Sequence, residues 1–178
     1  MGTSGRQDWP DFRAVDKAFA EGDMTALLQA LGEPGDFPRA PVALGPGLGE
    51  NPLEYAIYWS PVAFVAELLE RGADPSRPDP AGFPPVIAAL SSERPERLKI
   101  IALLLEHGAD VAQRGINDWT PLHYAVAQGD LAGAALLLEH GADPGLRTRI
   151  DHCTSALEDA EAAGFEEAAA LLRGALSR

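Results

Sequence analysis

The chain has 178 residues, of which 46% are hydrophobic and 23% charged, so it is long enough to fold around a sizeable core. Its 27 acidic residues outnumber 14 basic ones and give a net charge of −13, which repels phosphate backbones and argues against a nucleic acid partner. The single cysteine, Cys153, excludes an intrachain disulfide, and no apolar run reaches the roughly 20 residues of a membrane span. We therefore expect a cytoplasmic protein that makes no contact with a membrane.

The first 50 residues contain three segments of different character. Residues 1–11 have no apolar run and are predicted to be a flexible N-terminus without a signal peptide. Residues 12–32 have the pattern of two short helices separated by Gly22. Residues 33–50 form a long loop rich in Pro and Gly, which we expect to be an irregular, extended finger. Its stretch GPGLGE lacks the Lys and Ser or Thr of a phosphate-binding loop, so a plain loop is favoured.

An octapeptide, LLLEHGAD, occurs twice, at residues 103–110 and 136–143, and a near copy occupies residues 67–74. The glycines of the three copies are 36 and then 33 residues apart: Gly72, Gly108 and Gly141. Self-similarity with a period of about 33 residues is typical of stacked repeat arrays, in which each repeat buries its apolar face against its neighbours. The 3 extra residues of the longer interval fall in the segment 91–96.

The clearest repeat begins with Thr120 as the N-cap of a helix and Pro121 at its first position, where the missing N–H costs nothing. Gly129 ends this helix, and Gly141 ends the next one at a position that favours positive φ. The hexapeptide TPLHYA at residues 120–125, followed by LLLEHGAD, closely resembles the signature of ankyrin repeats. The resemblance implies an all-α solenoid of stacked helix-turn-helix units connected by hairpin-like fingers.

On this alignment residues 12–178 form a single ankyrin-repeat domain of about five units. The first and last units are more polar or lack the motif, as expected of the caps that solenoids need. The predicted units are residues 12–32, 51–74, 84–110, 120–143 and 154–174.

Few residues of the sequence suggest a catalytic or metal-binding site. Asp151, His152 and Cys153 are the only cluster of catalytic residue types, but neighbours in an extended segment point to opposite sides, and no second cysteine completes a zinc site. Glu158 and Asp159 are predicted to open a helix, where the helix dipole favours acidic residues, and Glu161, Glu166 and Glu167 are predicted to form a solvated face. His107 and His140 precede the helix-ending glycines, and the resemblance implies that His123 bonds to neighbouring loops. We expect no enzyme, cofactor or metal, and an enzyme or small-ligand binder near Asp151 to Cys153 is the less favoured alternative.

The resemblance implies that a partner protein binds the fingers and the exposed side of the first helices. All three tyrosines, two of three tryptophans and 4 of the 14 basic residues align with this surface, and Tyr, Trp and Arg often anchor interfaces. Some aromatics could instead pack between repeats, and Asp79, Asp118 and Asp151 could neutralise neighbouring arginines or serve as turn residues. The predicted partner-binding residues are Tyr55, Tyr58, Trp59, Arg77, Phe83, Arg114, Ile116, Trp119, Tyr124, Gln128, Arg147 and Arg149, with Trp119, Tyr124 and Arg114 at the centre.

The sequence thus predicts a non-enzymatic protein–protein interaction module that is monomeric when alone. An inhibitor or immunity-type protein that blocks a partner enzyme is the alternative within the same class. The frequent use of Ala and Arg is similar to that of proteins from high-GC bacteria.

Overall fold

The computed structural model describes residues 11–45, 49–150 and 153–177. Ten helices lie within these residues, and their only extended pairing is an isolated bridge between Arg147 and Ser155. The helices are α1 (Phe12–Glu21), α2 (Met24–Ala30), α3 (Pro52–Trp59), α4 (Val62–Glu70), α5 (Pro85–Ser91), α6 (Arg97–Glu106), α7 (Pro121–Ala127), α8 (Leu131–Glu139), α9 (Ala156–Ala162) and α10 (Glu166–Leu176). The all-α class and the helix-turn-helix repeat predicted from the sequence are confirmed.

The chain divides into two compact units, Met1–Ala73 and Asp74–Arg178. The first unit contains α1 to α4, and the second contains α5 to α10. Of the N-terminal segment 1–11 that was predicted to be flexible, residues 1–10 lie outside the described residues, whereas Asp11 is the N-cap of α1. None of the described helices is long and apolar enough to cross a membrane.

In the first unit, short polar side chains set the helix starts. Asp11, Asp23 and Asn51 accept hydrogen bonds from backbone N–H groups in the first turns of α1, α2 and α3. Phe19 of α1 is fully buried, and its ring centre lies 5.7 Å from that of Phe64 and 4.7 Å from that of Tyr55. Aromatic pairs at these separations form the centre of this unit's core.

The segment predicted to be a long loop contains no helix or strand in its described residues 33–45 and 49–50. Leu44 is fully buried, and its N–H donates to the carbonyl of Gly49, while the N–H of Val42 donates to the carbonyl of Glu50. The loop therefore contributes an apolar anchor to the first unit.

The second unit consists of three helix pairs, α5 with α6, α7 with α8 and α9 with α10. The first helices of the pairs pack side by side in the order α5, α7, α9, and the second helices in the order α6, α8, α10. This arrangement buries Ile87, Ile100, Leu104, Leu122 and Leu137 almost completely. Residues 92–96 separate α5 from α6 and hold the insertion that lengthens this repeat.

The capping chemistry predicted for the central repeat is confirmed. Thr120 caps α7 by accepting from the N–H of His123, and Pro121 occupies the first helical turn. Gly141 follows α8 with a φ of 87°, which a residue with a Cβ adopts only under strain. His107 and His140 are the C-caps of α6 and α8, and the Nδ1 of each lies within 2.9 Å of a carbonyl oxygen in the last turn.

Candidate functional site

Three fingers precede the first helices of the second unit: residues 74–84, residues 110–120, and a third finger described at residues 143–150 and 153–155. Each turns towards its helix through a residue with positive φ, namely Gly82 (86°), Asp118 (59°) and Cys153 (50°). Each of these residues stands two positions before a helix N-cap: Pro84, Thr120 and Ser155. Asp is among the few residue types with a side chain that tolerate this backbone well, which explains part of the choice of Asp118.

The first two fingers are held together at their bases and near their tips. The backbone N–H of Asp110 donates to Oγ of Ser76 at 3.0 Å, and Nε2 of Gln113 donates to the Ser76 carbonyl at 2.6 Å. Near the tips Ile116 lies against Gly82, where an added Cβ would approach Cγ1 of Ile116 to 3.1 Å. The two fingers therefore sit in a fixed register.

Asp118 joins the second finger to the third. Its side chain is 7% exposed and accepts from Nη1 of Arg114 at 2.7 Å, from Nε of Arg149 at 2.9 Å and from the backbone N–H of Arg149. These hydrogen bonds, above all those from Arg149, and the two positive charges hold the pKa of Asp118 at about 2. Nη2 of Arg114 also reaches the carbonyl of Arg147 at 2.8 Å.

The third finger is tied to the helix that follows it. Arg147 pairs with Glu158 of α9, and its Nη1 donates to the carbonyl of Cys153 at 2.8 Å. The N–H of Ser155, followed by the guanidinium of Arg147, lowers the pKa of Glu158. Of the arginines that were predicted to meet a partner, Arg114 and Arg149 bind Asp118, which was the alternative interpretation, and Arg147 binds Glu158 of α9.

His123 links α7 to the third finger from a site that is only 1% exposed. Its Nε2 lies 3.1 Å from the Thr154 carbonyl, and its Nδ1 lies 2.8 Å from Oγ1 of Thr120. Because a carbonyl can only accept, Nε2 carries the proton and Nδ1 accepts from the threonine hydroxyl. Burial lowers the pKa of His123, so the ring is neutral at pH 7.

Each finger also exposes one large apolar side chain. Phe83, Ile116 and Ile150 are 39%, 55% and 47% exposed, although the fingers that carry them are held by hydrogen bonds at several other points. We call these three residues the fingertip set. Isolated exposed apolar residues are common, but the occurrence of one on each of three neighbouring, connected fingers makes the fingertip set a candidate contact surface.

The other predicted binding residues have varied surroundings. In the first unit Tyr55 is half-buried, and its hydroxyl donates to Asp16 at 2.5 Å. Burial, followed by this hydrogen bond and the charge of Asp16, raises the pKa of Tyr55 to about 12. Tyr58 is half-buried, whereas Trp59 is 65% exposed. Of the predicted binding residues in the second unit, Arg77, Trp119 and Tyr124 are half-buried and Gln128 is exposed.

A cleft of about 500 Å³ opens between α7, α9 and the last two fingers. Its lining combines four apolar side chains with two threonines and one carboxylate: Trp119, Val126, Ala127, Ala163, Thr148, Thr154 and Asp159. The sequence prediction placed Trp119 on the binding surface but interpreted Asp159 only as an acidic residue at the start of a helix. The sequence contained a signal for this role of Asp159. Asp159 and Ala163 are four residues apart, and this spacing puts both on one side of α9.

The described part of the chain offers little for catalysis. It contains no group of three or more His, Cys, Asp or Glu side chains that could hold a metal ion. Asp151 and His152, two members of the predicted cluster, lie outside the described residues. Cys153 is exposed and unpaired with another cysteine.

Stacked helix pairs that present connected fingers define a repeat protein with an extended surface. Residues 78–148 match the family described as "Ankyrin repeats (3 copies)", so this part of the chain is an array of ankyrin repeats with the predicted all-α repeat architecture. Ankyrin repeats are generally protein–protein interaction modules, and the family is typically non-enzymatic. No curated protein is significantly similar to the chain.

Proposed function

We propose that this protein is a non-enzymatic interaction module whose second unit binds a partner protein through the fingertip set and the adjoining surface of α7. The observation that carries the proposal is the exposure of Phe83, Ile116 and Ile150 on three fingers held in register. An apolar side chain that is half exposed costs solvation free energy until a partner covers it. The match of residues 78–148 to a family of interaction modules supports the same conclusion.

In this proposal the arginines organise the surface. Arg114 and Arg149 converge on one carboxylate, so the second and third fingers keep their relative position before a partner arrives. A preorganised surface loses less conformational freedom on binding and therefore binds more tightly. The half-buried Trp119 and Tyr124, together with the exposed Gln128, supply further contact area beside the fingers.

The test is a quantitative capture of partners from the native cell extract by the full chain and by the double variant Ile116→Ser, Ile150→Ser. Covering the exposed half of each isoleucine contributes about 1 kcal/mol, so the double variant should bind the captured partner roughly 30-fold more weakly. Leu176→Ser is the matched control, because Leu176 is 52% exposed but is the last residue of α10 and lies beside Gly145 at the start of the third finger, not in the fingertip set.

Equal capture by the double variant and the wild type would refute the proposed surface, provided that both variants keep the wild-type circular dichroism spectrum. The same experiment separates an adaptor from an inhibitor. If the captured partner is an enzyme, its activity in the complex is compared with that of the free enzyme. Loss of activity in the complex identifies the inhibitor or immunity-type alternative.

A further inference from the structure

The cleft beside Trp119 combines features that suit one particular kind of side chain. Trp119, Val126 and Ala127 supply apolar surface, and the polar residues Asp159, Thr148 and Thr154 also line the cleft. A long aliphatic side chain with a polar end packs its methylene groups on apolar walls and keeps its charged group among polar partners. The lining therefore favours an amphipathic side chain over a purely apolar one.

The charge of Asp159 is not balanced by the groups around it. Among the described residues its carboxylate accepts no hydrogen bond and forms no ion pair, and the group with which it interacts electrostatically is His123. The buried His123 ring is neutral at pH 7 because its pKa is lowered, so it does not compensate the carboxylate. Asp159 thus contributes a net negative charge to the cleft.

The basic side chains of the neighbouring fingers are already paired with other acids. Arg114 and Arg149 bind Asp118, and Arg147 binds Glu158. The surrounding unit is acidic as well, since residues 74–178 contain 16 Asp and Glu against 9 Lys and Arg. A cationic group that enters the cleft therefore meets a complementary charge.

We propose that this cleft receives an arginine side chain of the partner protein, which pairs with Asp159 while its stem packs beside Trp119. A guanidinium is suited to this lining because it binds carboxylates, stacks on indole rings and is weakly hydrated for a cation. The proposal rests on the protein-binding function proposed above and specifies the chemistry of the segment that binds next to the fingertip set.

The experiment is an NMR titration of the ¹⁵N-labelled full chain with N-acetylarginine methylamide. The uncharged analogue N-acetylcitrulline methylamide, at matched ionic strength, is the ligand control. The arginine compound should cause saturable shifts of the Trp119 indole N–H and of the Asp159 and Ala163 amides, whereas the citrulline compound should not. Asp159→Asn should weaken binding by roughly tenfold.

Two further variants make the result specific to the cleft. Ala127→Leu replaces an exposed alanine in the lining with a larger side chain and should abolish the shifts without removing a charge. Glu106→Gln removes an exposed acid at the end of α6 and should leave them unchanged. Unchanged binding in Asp159→Asn, equal binding of the citrulline compound or the lack of a saturable shift at Trp119 would each overturn the proposal.

The titration contains no partner protein, so its outcome is independent of the capture experiment. A negative titration removes the cleft as an arginine site and leaves the fingertip surface intact. Unimpaired capture by the Ile116→Ser, Ile150→Ser variant, in contrast, refutes the proposed function whatever the titration gives.

Discussion

Asp118 and Arg149 connect two successive fingers, with Nε of Arg149 2.9 Å from one carboxylate oxygen of Asp118 and the backbone N–H of Arg149 bonded to the other. Asp118 also has a left-handed backbone and binds Arg114. One residue therefore provides the turn of its own finger and the attachment of the next. We regard this residue as the main reason why the two fingers form a preorganised surface.

The first prediction concerns the response of Asp118 to acid. Its pKa falls from 3.8 to about 2 on folding, so between these values the unfolded chain binds more protons than the folded one, and acid destabilises the fold. Asp118→Asn tolerates the same backbone but cannot ionise. Its free energy of unfolding should be lower than that of the wild type at pH 7, and the difference should shrink as the pH falls from 3.8 to 2.

Urea denaturation of both proteins at pH 7, 4, 3 and 2 measures this difference. Asp118→Ala should be less stable than Asp118→Asn at pH 7, because alanine tolerates positive φ less well than asparagine does. Stability differences between the wild type and Asp118→Asn that stay constant over the whole pH range would contradict the assigned ion pair.

The second prediction concerns His123. Burial lowers its pKa below the ordinary 6.5, so an NMR titration of its ring should give a midpoint below that value. As the pH falls, His123 is protonated at a higher pH in the unfolded chain than in the folded one. The contribution of His123 to stability should therefore decline as the pH falls below 6.5. The ring should show the Nε2–H tautomer at pH 7, as the bond to the Thr154 carbonyl requires.

A variant checks that the pH dependence comes from this ring. His123→Gln should flatten the decline in stability just below pH 6.5, while keeping an amide that can bond to Thr120 or Thr154. A midpoint at or above 6.5 would show that the ring is not buried in its neutral form.

The sequence predicted those parts of the fold that depend on chemistry within a few residues. Thr120 and Pro121 start a helix, and Gly141 ends one, because a cap or a positive φ is specified by the local residue types. The period of about 33 residues then predicted that the helix pairs of successive repeats stack on one another. The same local signals occur in weaker form in the atypical first unit, where Asp11, Asp23 and Asn51 act as caps.

The roles of the surface residues were harder to predict because their partners are distant in sequence. Asp118 and Arg149 are 31 residues apart, and Tyr55 and Asp16 are 39 apart. A repeat period indicates that such positions approach each other, but the side chains that pair depend on the register and on the rotamers. For this reason the sequence left open whether Arg114 and Arg149 face a partner or pair with an aspartate, and the structure shows that both bind Asp118.

The third prediction concerns the strained turn at Cys153. This residue has a φ of 50° and an exposed side chain, and its equivalents in the other two fingers are Gly82 and Asp118. Cys153→Gly should therefore raise the free energy of unfolding by about 1 kcal/mol, because glycine adopts positive φ without a steric cost. Thermal or urea unfolding measures the gain.

Cys153→Ser is the matched control, since it removes the thiol but keeps a Cβ in the same conformation. It should leave stability within about 0.5 kcal/mol of the wild type and should leave partner capture unchanged. A loss of a biochemical activity in Cys153→Ser would support the alternative of an enzyme near Asp151 to Cys153 and contradict the interaction module.

The central claim, that a partner protein covers the fingers of the second unit, is tested most directly by site-specific photo-crosslinking in the native cell. A photoreactive phenylalanine analogue is placed at position 116 or 150 on the fingertips, or at position 176 on α10 as the control. The account predicts that positions 116 and 150 crosslink to the same protein and that position 176 does not. Crosslinks to a common protein at position 176 alone, with none at 116 or 150, would contradict it.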